Sequence, residues 1–195
     1  SISEQIRACT LCPLSAKLDS GFKPLPGTGR VDAKILLVYD KPTYDDYLTQ
    51  QYLTSKEGLL IDKMLAKCEL SRKELYITPL IKCYAACAKD ITSSVEKTCG
   101  DWLIKQCDAL KPTVIVPCGR SSIAKITGKS KASVDMKEFT KKFITSGQTM
   151  IIPFPALFSL FNVGNSTFNY HCDRLLEGKK WVSKHQKELG VQEKS

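Results

Sequence analysis

The sequence predicts a single α/β domain built on a central four-stranded parallel sheet flanked by helices. Three observations carry this. Four short apolar runs, KILLVY (34–39), LYITPL (75–80), TVIVPC (113–118) and TMIIP (149–153), have the length and composition of strands buried on both faces. Helical patterns separate them, and strands alternating with helices make a parallel sheet covered on both sides. The chain has 195 residues, enough for one proper core and at most a tail beside it.

Taken in order, ISEQIRAC begins a short helix that leads into a C-x2-C turn at Cys9 and Cys12 and a second short helical piece. GFKPLPGTGRVDA is a Gly- and Pro-rich loop, in which Gly27-Thr28-Gly29 would let backbone approach a ligand closely. The first strand opens into a loop, DKPTYDD. From Glu57 to Leu70, the residues Leu59, Leu60, Met64, Leu65 and Leu70 recur at helical spacing and define a helix covering one sheet face. The second strand runs into a cysteine-bearing loop, and Ser94 to Leu110 forms a helix with Trp102, Leu103 and Leu110 inward and Ser93 or Ser94 as N-cap. After the third strand, GRSSIAKITG begins a short helix whose first amides can hold a phosphate. Residues 129–148 carry five lysines and two acids and form a solvated excursion or hairpin. A final helix runs from about Tyr170 to Leu189.

Composition bounds the function. Hydrophobic residues at 43% and charged ones at 25% describe a globular chain and not a disordered one. With no apolar run of bilayer length and no signal segment, the expected setting is an intracellular, reducing compartment without membrane attachment. There, nine cysteines are thiols or metal ligands. A net charge of +9 favours a polyanionic partner, nucleic acid above all.

The cysteines are the strongest chemical signal. Cys9 and Cys12 let one short loop aim two sulfurs at a single centre, and Cys83 and Cys99 flank the loop after the second strand. Four thiolates suit either zinc or an iron–sulfur cluster, and a single compact pair shifts the balance towards the cluster. Cys87, four residues after Cys83, is an alternative ligand. Cys68, Cys107, Cys118 and Cys172 lie in apolar or helix-like surroundings typical of buried thiols.

The order of motifs, CTLCPL, LPGTGR, KILLVYDKPTYDD, EGLLIDKML, LYITPLIKC, EKTCGDWL, LKPTVIVPCGRSSIAKITG and PFPALFSL, resembles the iron–sulfur (family 4) branch of the uracil-DNA glycosylase superfamily over nearly the whole chain. The resemblance implies a [4Fe–4S] cluster on Cys9, Cys12, Cys83 and Cys99, bracing DNA-binding loops without being consumed. It also exposes a changed base pocket. The family's Gly-Glu-Ala-Pro-Gly stretch is Tyr39-Asp40-Lys41-Pro42-Thr43, so its acid becomes Asp40. The aromatic residue that stacks on uracil becomes Leu53. The Asn that reads the base edge becomes Pro79, which has no side-chain donor and no N–H. The loop His becomes Phe154, in Phe154-Pro155-Ala156. Losing one preorganised donor costs about 2.7–4 kcal/mol of transition-state stabilisation, so ordinary uracil excision is not expected.

Asp40 and Asp46 flank the loop after the first strand, and a carboxylate there can orient water for attack on the sugar; Asp40 is the catalytic candidate. Tyr39 and Tyr44 offer replacement stacking surfaces. For DNA, Leu157 or Phe158 after Pro155 and Ala156 can enter the base stack. Arg120, Ser121 and Ser122 can meet phosphate, and Lys129, Lys131, Lys137, Lys141 and Lys142 add salt-sensitive attraction. Three functions follow: a DNA-binding superfamily member in repair, modification or replication, an active glycosylase for a different or modified base, or a metal-braced module that meets replication or repair proteins.

Overall fold

The computed structural model describes residues 1–188, with side chains to residue 186; Lys187 and Leu189, assigned to the last helix from the sequence, lie outside the described side chains and the described residues respectively. All four expected strands form, as β2 (Ile35–Tyr39), β3 (Leu75–Pro79), β4 (Val114–Pro117) and β6 (Thr149–Ile151). They lie side by side in parallel, in the order β3-β2-β4-β6. Two antiparallel edges extend the sheet to six strands, giving β1-β3-β2-β4-β6-β5. One is β1 (Thr28–Gly29), within the stretch read as loop, and the other is β5 (Ile144–Ser146), which makes the lysine-rich excursion a hairpin with β6.

Every residue of β2, β3 and β4 is buried, as continuous apolar runs require. Ile35, Leu37 and Tyr39 face one core layer with Ile61, Met64 and Leu65. Leu36 and Val38 face the other with Leu80, Val95 and Leu103. The helices supplying these layers are α3 (Lys56–Lys67) and α7 (Asn165–Glu188) on the first face and α4 (Ser93–Leu110) on the second. Short helices α1 (Ile2–Arg7), α2 (Tyr44–Thr49), α5 (Arg120–Thr127) and α6 (Met136–Phe139) complete the chain.

Several local expectations change. The buried face of α3 is Gly58, Ile61, Met64 and Leu65, while Leu59 is 71% exposed. Gly58 sets this phase, because a Cβ there would meet the Leu53 carbonyl oxygen at 1.7 Å. The N-cap of α4 is Thr92, whose hydroxyl accepts the Val95 N–H, and not Ser93 or Ser94. DKPTYDD contains the start of α2, closed by a reciprocal cap: Thr43 accepts the Asp46 N–H and Asp46 accepts the Thr43 N–H. Finally, α7 begins at Asn165 and not Tyr170.

The glycines at 27 and 29 serve the sheet. A Cβ on Gly29, at φ +129, would lie 2.2 Å from the Leu75 carbonyl oxygen, so the close approach is to β3 and not to a ligand. Gly29→Ala therefore strains the backbone and separates β1 from β3. We expect a loss of more than about 1 kcal/mol in urea unfolding, whereas Gly21→Ala, with open space around it at φ +91, loses less.

Candidate functional site at the C-terminal rim of the sheet

Parallel strands bring their C-terminal ends to one rim, and the sequence-predicted base-pocket residues all belong to it. Tyr39 ends β2 and pairs in register with Pro79, the end of β3. Cys118, just beyond β4, bridges Phe154 in parallel, extending the sheet past β6. The Phe154 N–H donates to Pro117 O at 2.9 Å, and its carbonyl accepts the Gly119 N–H at 3.0 Å. That backbone clamp fixes where the Phe154 ring lies.

The ring lies in the core. Tyr39, Leu53 and Phe154 belong to one continuous apolar cluster and are 3%, 2% and 1% exposed. Pro42 and Pro79 are buried as well. Leu53 is driven inward by a locked loop: its φ is 51°, and Arg72 donates to the carbonyls of Tyr52 and Leu53 at 2.8 and 3.0 Å while holding Asp62 through two nitrogens. One void of about 10 Å³ touches Phe154 from inside the first core layer, enclosed by Leu37, Ile61, Met64, Leu65, Leu75, Val116 and Leu175. A much larger cavity, about 1080 Å³, opens at the opposite end of the sheet beside Lys34, Thr113, Thr149 and Ser183. It is remote from every pocket position.

The two acids part company. Asp46 is fully buried, and its carboxylate accepts from Thr43 N, Thr54 N and Thr54 Oγ1 at 2.7–3.1 Å. It is a cap with its oxygens engaged, which corrects its assignment as a water-positioning acid. Asp40 is reachable by solvent at the rim. Surrounding protein nonetheless raises its pKa, chiefly by desolvation, with Glu96 adding to this and Lys41 and Lys131 opposing it. The buried Tyr39 hydroxyl has no hydrogen-bond partner among the described residues; desolvation and then the Asp46 charge hold it protonated.

The DNA-facing candidates are similarly sorted. Phe158 is 64% exposed, whereas Leu157 is buried and is withdrawn as a wedge. Pro155 and Ala156 are half-buried. Ser122 is fully buried and cannot reach a phosphate, and Ser121 donates to Glu96 at 2.9 Å, so an acid already stands at the start of α5. Arg120 is exposed but donates to the Val134 carbonyl at 2.7 Å. Lys141 and Lys142 are exposed, near Glu138 at 3.9 and 3.6 Å.

Four cysteines converge on the second face. Burial first, and then the neighbouring Cys99, Cys12 and Cys9 sulfurs, push the Cys83 thiol up. Burial raises Cys99 to about 11, with Cys12 and Cys9 adding and Lys82 opposing. Trp102 Nε1 donates to Cys9 Sγ at 3.3 Å, while Cys87 is exposed. Sulfurs that oppose each other's ionisation form a donor set suited to a multiply charged metal centre, so these residues fit the implied cluster chemically. Among the described residues, no group of three or more His, Cys, Asp or Glu side chains stands close enough together to hold a metal ion. Beside them Lys82 is fully buried, its Nζ donating to Thr78 Oγ1, Pro79 O and Gln106 Oε1 at 2.6–2.7 Å, and desolvation lowers it to about 7.

A mostly parallel sheet between helices, with its rim and thiol face, defines an α/β protein of the kind this superfamily uses, and the chain belongs to the uracil-DNA glycosylase superfamily, whose family model matches residues 26–184. Among its relatives, a protein of Archaeoglobus fulgidus named type-4 uracil-DNA glycosylase is 34% identical over 119 residues, 61% of this chain and 58% of that protein. A Thermotoga maritima protein of the same name is 23% identical over 183 residues, 94% of each chain. A DNA polymerase of Bacillus phage SP01 is 27% identical over 106 residues, 54% of this chain and 12% of the polymerase. The chain thus spans less than two thirds of the Archaeoglobus relative and nearly all of the Thermotoga one. No described helix is long and apolar enough to cross a membrane.

The two histidines, His171 and His185, fall before or within the last helix and lack the loop context of the family histidine, so the sequence assigns neither a catalytic role. In the structure His171 on α7 packs against the Phe154 ring at 5.1 Å, buried, with Nδ1 unpartnered among the described residues. Desolvation and then Arg174 lower its pKa from 6.5 to about 4. It is neutral in the fold, so its contribution to stability is complete above pH 6.5 and is lost as pH falls from 6.5 towards 4. The loss by pH 4 is about 3 kcal/mol. We expect His171→Phe to flatten the stability profile across this interval in denaturant titrations at stepped pH.

Proposed function

We propose that this chain is a DNA-binding member of the superfamily, braced by a [4Fe–4S] cluster, whose base pocket is closed by its own core and which does not excise uracil efficiently. The observation that carries this reading is the burial of Tyr39, Leu53, Pro79 and Phe154, the positions that match the family's base pocket, in an apolar setting that offers an extruded base neither an exposed ring nor an exposed donor. An extruded base is held by stacking and by hydrogen bonds to its edge. Here Leu53 offers no ring and Pro79 no donor, and the Pro79 carbonyl is already taken by Lys82.

DNA is held instead from the outside. Phe158 presents an exposed aromatic wedge two residues after Ala156, with Pro155 and Ala156 leading into it, and Arg120, Lys141 and Lys142 are exposed cations that would meet phosphates. The net charge of +9 supports binding dominated by phosphate contacts. Cys9, Cys12, Cys83 and Cys99 would hold the cluster, which ties the N-terminal segment to the loop after β3 and to α4. Its chemistry there is structural, and zinc is the alternative occupant. Nine free cysteines suit a reducing, intracellular setting. Similarity to a segment of a phage DNA polymerase favours work alongside replication or repair proteins.

The second reading is a glycosylase for a different or modified base. Asp40 favours it, as a solvent-reachable carboxyl of raised pKa at the rim, able to orient an attacking water. Base release abolished by Asp40→Asn would establish that reading.

The test compares oligonucleotides that differ only in uracil or thymine. We expect equal affinities that fall with salt, iron retained in anaerobically purified protein, and binding about tenfold weaker in Phe158→Ala, a change of about 1.4 kcal/mol. A clear preference for the uracil strand would contradict a closed pocket. Zinc in place of iron would overturn the cluster.

A further inference from the structure

Four aromatic rings run together beside the rim, outside the closed pocket. Phe22 lies 4.5 Å from Tyr47, Tyr47 stacks on Tyr84 at 5.3 Å and 24°, and Tyr84 meets Tyr44 at 5.5 Å. The inner ring is fixed. Tyr47 is buried, its hydroxyl donating to Asp19 Oδ2 at 3.0 Å and accepting the Asp19 N–H at 2.8 Å. The outer rings are open: Tyr44 is 55% exposed, Tyr84 is half-buried, and neither hydroxyl has a hydrogen-bond partner among the described residues. Leu48, one turn along α2 from Tyr44, is also exposed.

These rings are positioned and not merely displayed. Tyr44 opens α2 directly behind the capped turn after β2, and Tyr84 follows Cys83 in the loop after β3. Lys41 donates to the Ala85 carbonyl at 3.2 Å, which sets an ammonium beside the Tyr84 loop. Lys23 follows Phe22 and is exposed, while Lys17 is already paired with Asp90. Against these cations stand Asp45, exposed next to Tyr44, and Asp19, engaged by Tyr47.

We infer that Tyr44 and Tyr84 form a stacking platform for an unpaired nucleobase of a single strand, with Lys41 and Lys23 meeting the adjoining phosphates. Aromatic faces beside cations are the means by which proteins hold single strands without reading sequence, because every base has a flat face. A base in a duplex has both faces covered, so the platform selects for an unpaired one. The site is also separate from the Phe158 wedge. In the order β3-β2-β4-β6, three strand spacings of ~4.8 Å separate the ends of β3 and β6 by about 14 Å. At ~3.4 Å per stacked nucleotide that is about four nucleotides, so platform and wedge engage different positions on one DNA.

This inference rests on the DNA-binding reading, and the experiment separates the two. Fluorescence anisotropy with a single-stranded oligonucleotide and its duplex is measured for the intact protein, Tyr44→Ala, Tyr84→Leu, and the Tyr44→Phe and Tyr84→Phe variants that keep the rings. The expected result is single-strand binding weakened about tenfold in Tyr44→Ala and in Tyr84→Leu, unchanged duplex binding, and near-complete retention in both Phe variants. Intact protein that binds neither DNA would sink the DNA-binding reading and the platform with it. Salt-sensitive binding by the intact protein with no single-strand loss in the two ring-removing variants overturns the platform alone. Equal losses on single strand and duplex overturn it too, since they point to general attraction or to the fold.

Discussion

The register of β2 between β3 and β4 governs the rest of this molecule. Ile35 through Tyr39 pair residue by residue with Leu75 through Pro79 on one side, and Ile35 through Val38 with Val114 through Pro117 on the other. A slip of one residue would exchange the layer containing Leu37 and Tyr39 for the one containing Leu36 and Val38, so the two apolar faces fix it. That register brings Asp40, Pro79 and Cys118 to one rim and carries the thiols of the β3 loop and α4 to the N-terminal pair. The placements of the rim residues and of the thiols both follow from how one buried strand is seated.

At the rim, the same apolar logic continues past the point where a working pocket would interrupt it. A base site needs polar groups aimed into a space, and such groups cost stability unless a ligand satisfies them. In this chain the corresponding positions are Leu53, Pro79 and Phe154, which join the hydrophobic cluster with Tyr39 and leave Asp40 as the ionisable group at the mouth. The polar burden has moved away, to the Lys82–Thr78–Gln106 network beneath the thiol face and to the Asp46 cap. Leu53, Pro79 and Phe154 are buried, while aromatic side chains stand exposed at Phe158 and Tyr44.

The sequence made the four parallel strands legible because both-face burial leaves continuous apolar runs. The burial of Cys12, Cys83 and Cys99 on one face was not legible from the compact pair alone, because it depends on α4 packing against the second layer. Other features left weaker traces. The cap on α2 was written in Thr43-x-x-Asp46, yet the surrounding DKPTYDD reads as turn. Gly58 and Arg72 together force Leu53 inward, and nothing local to Leu53 announces that an arginine 19 residues away will hold its carbonyl. The edge strand at Thr28–Gly29 is two residues long, below any periodicity, and its glycines are explained only once β3 lies against them. Burial of Ser122 and Leu157, beside exposed Arg120 and Phe158, follows from helix phase that a single sequence cannot fix in short elements.

On the reading proposed here, buried Tyr39, Leu53, Pro79 and Phe154 leave no room for a uracil. Single-turnover incubation of anaerobically purified, iron-loaded protein with uracil-containing single strands, followed by alkaline cleavage of abasic sites, tests it most directly. The account predicts no cleavage above the protein-free control under conditions in which the same DNA is fully bound. Rapid, complete release of uracil by the bound protein would mean that Phe154, Leu53 and Tyr39 move aside to admit the base, and would contradict it.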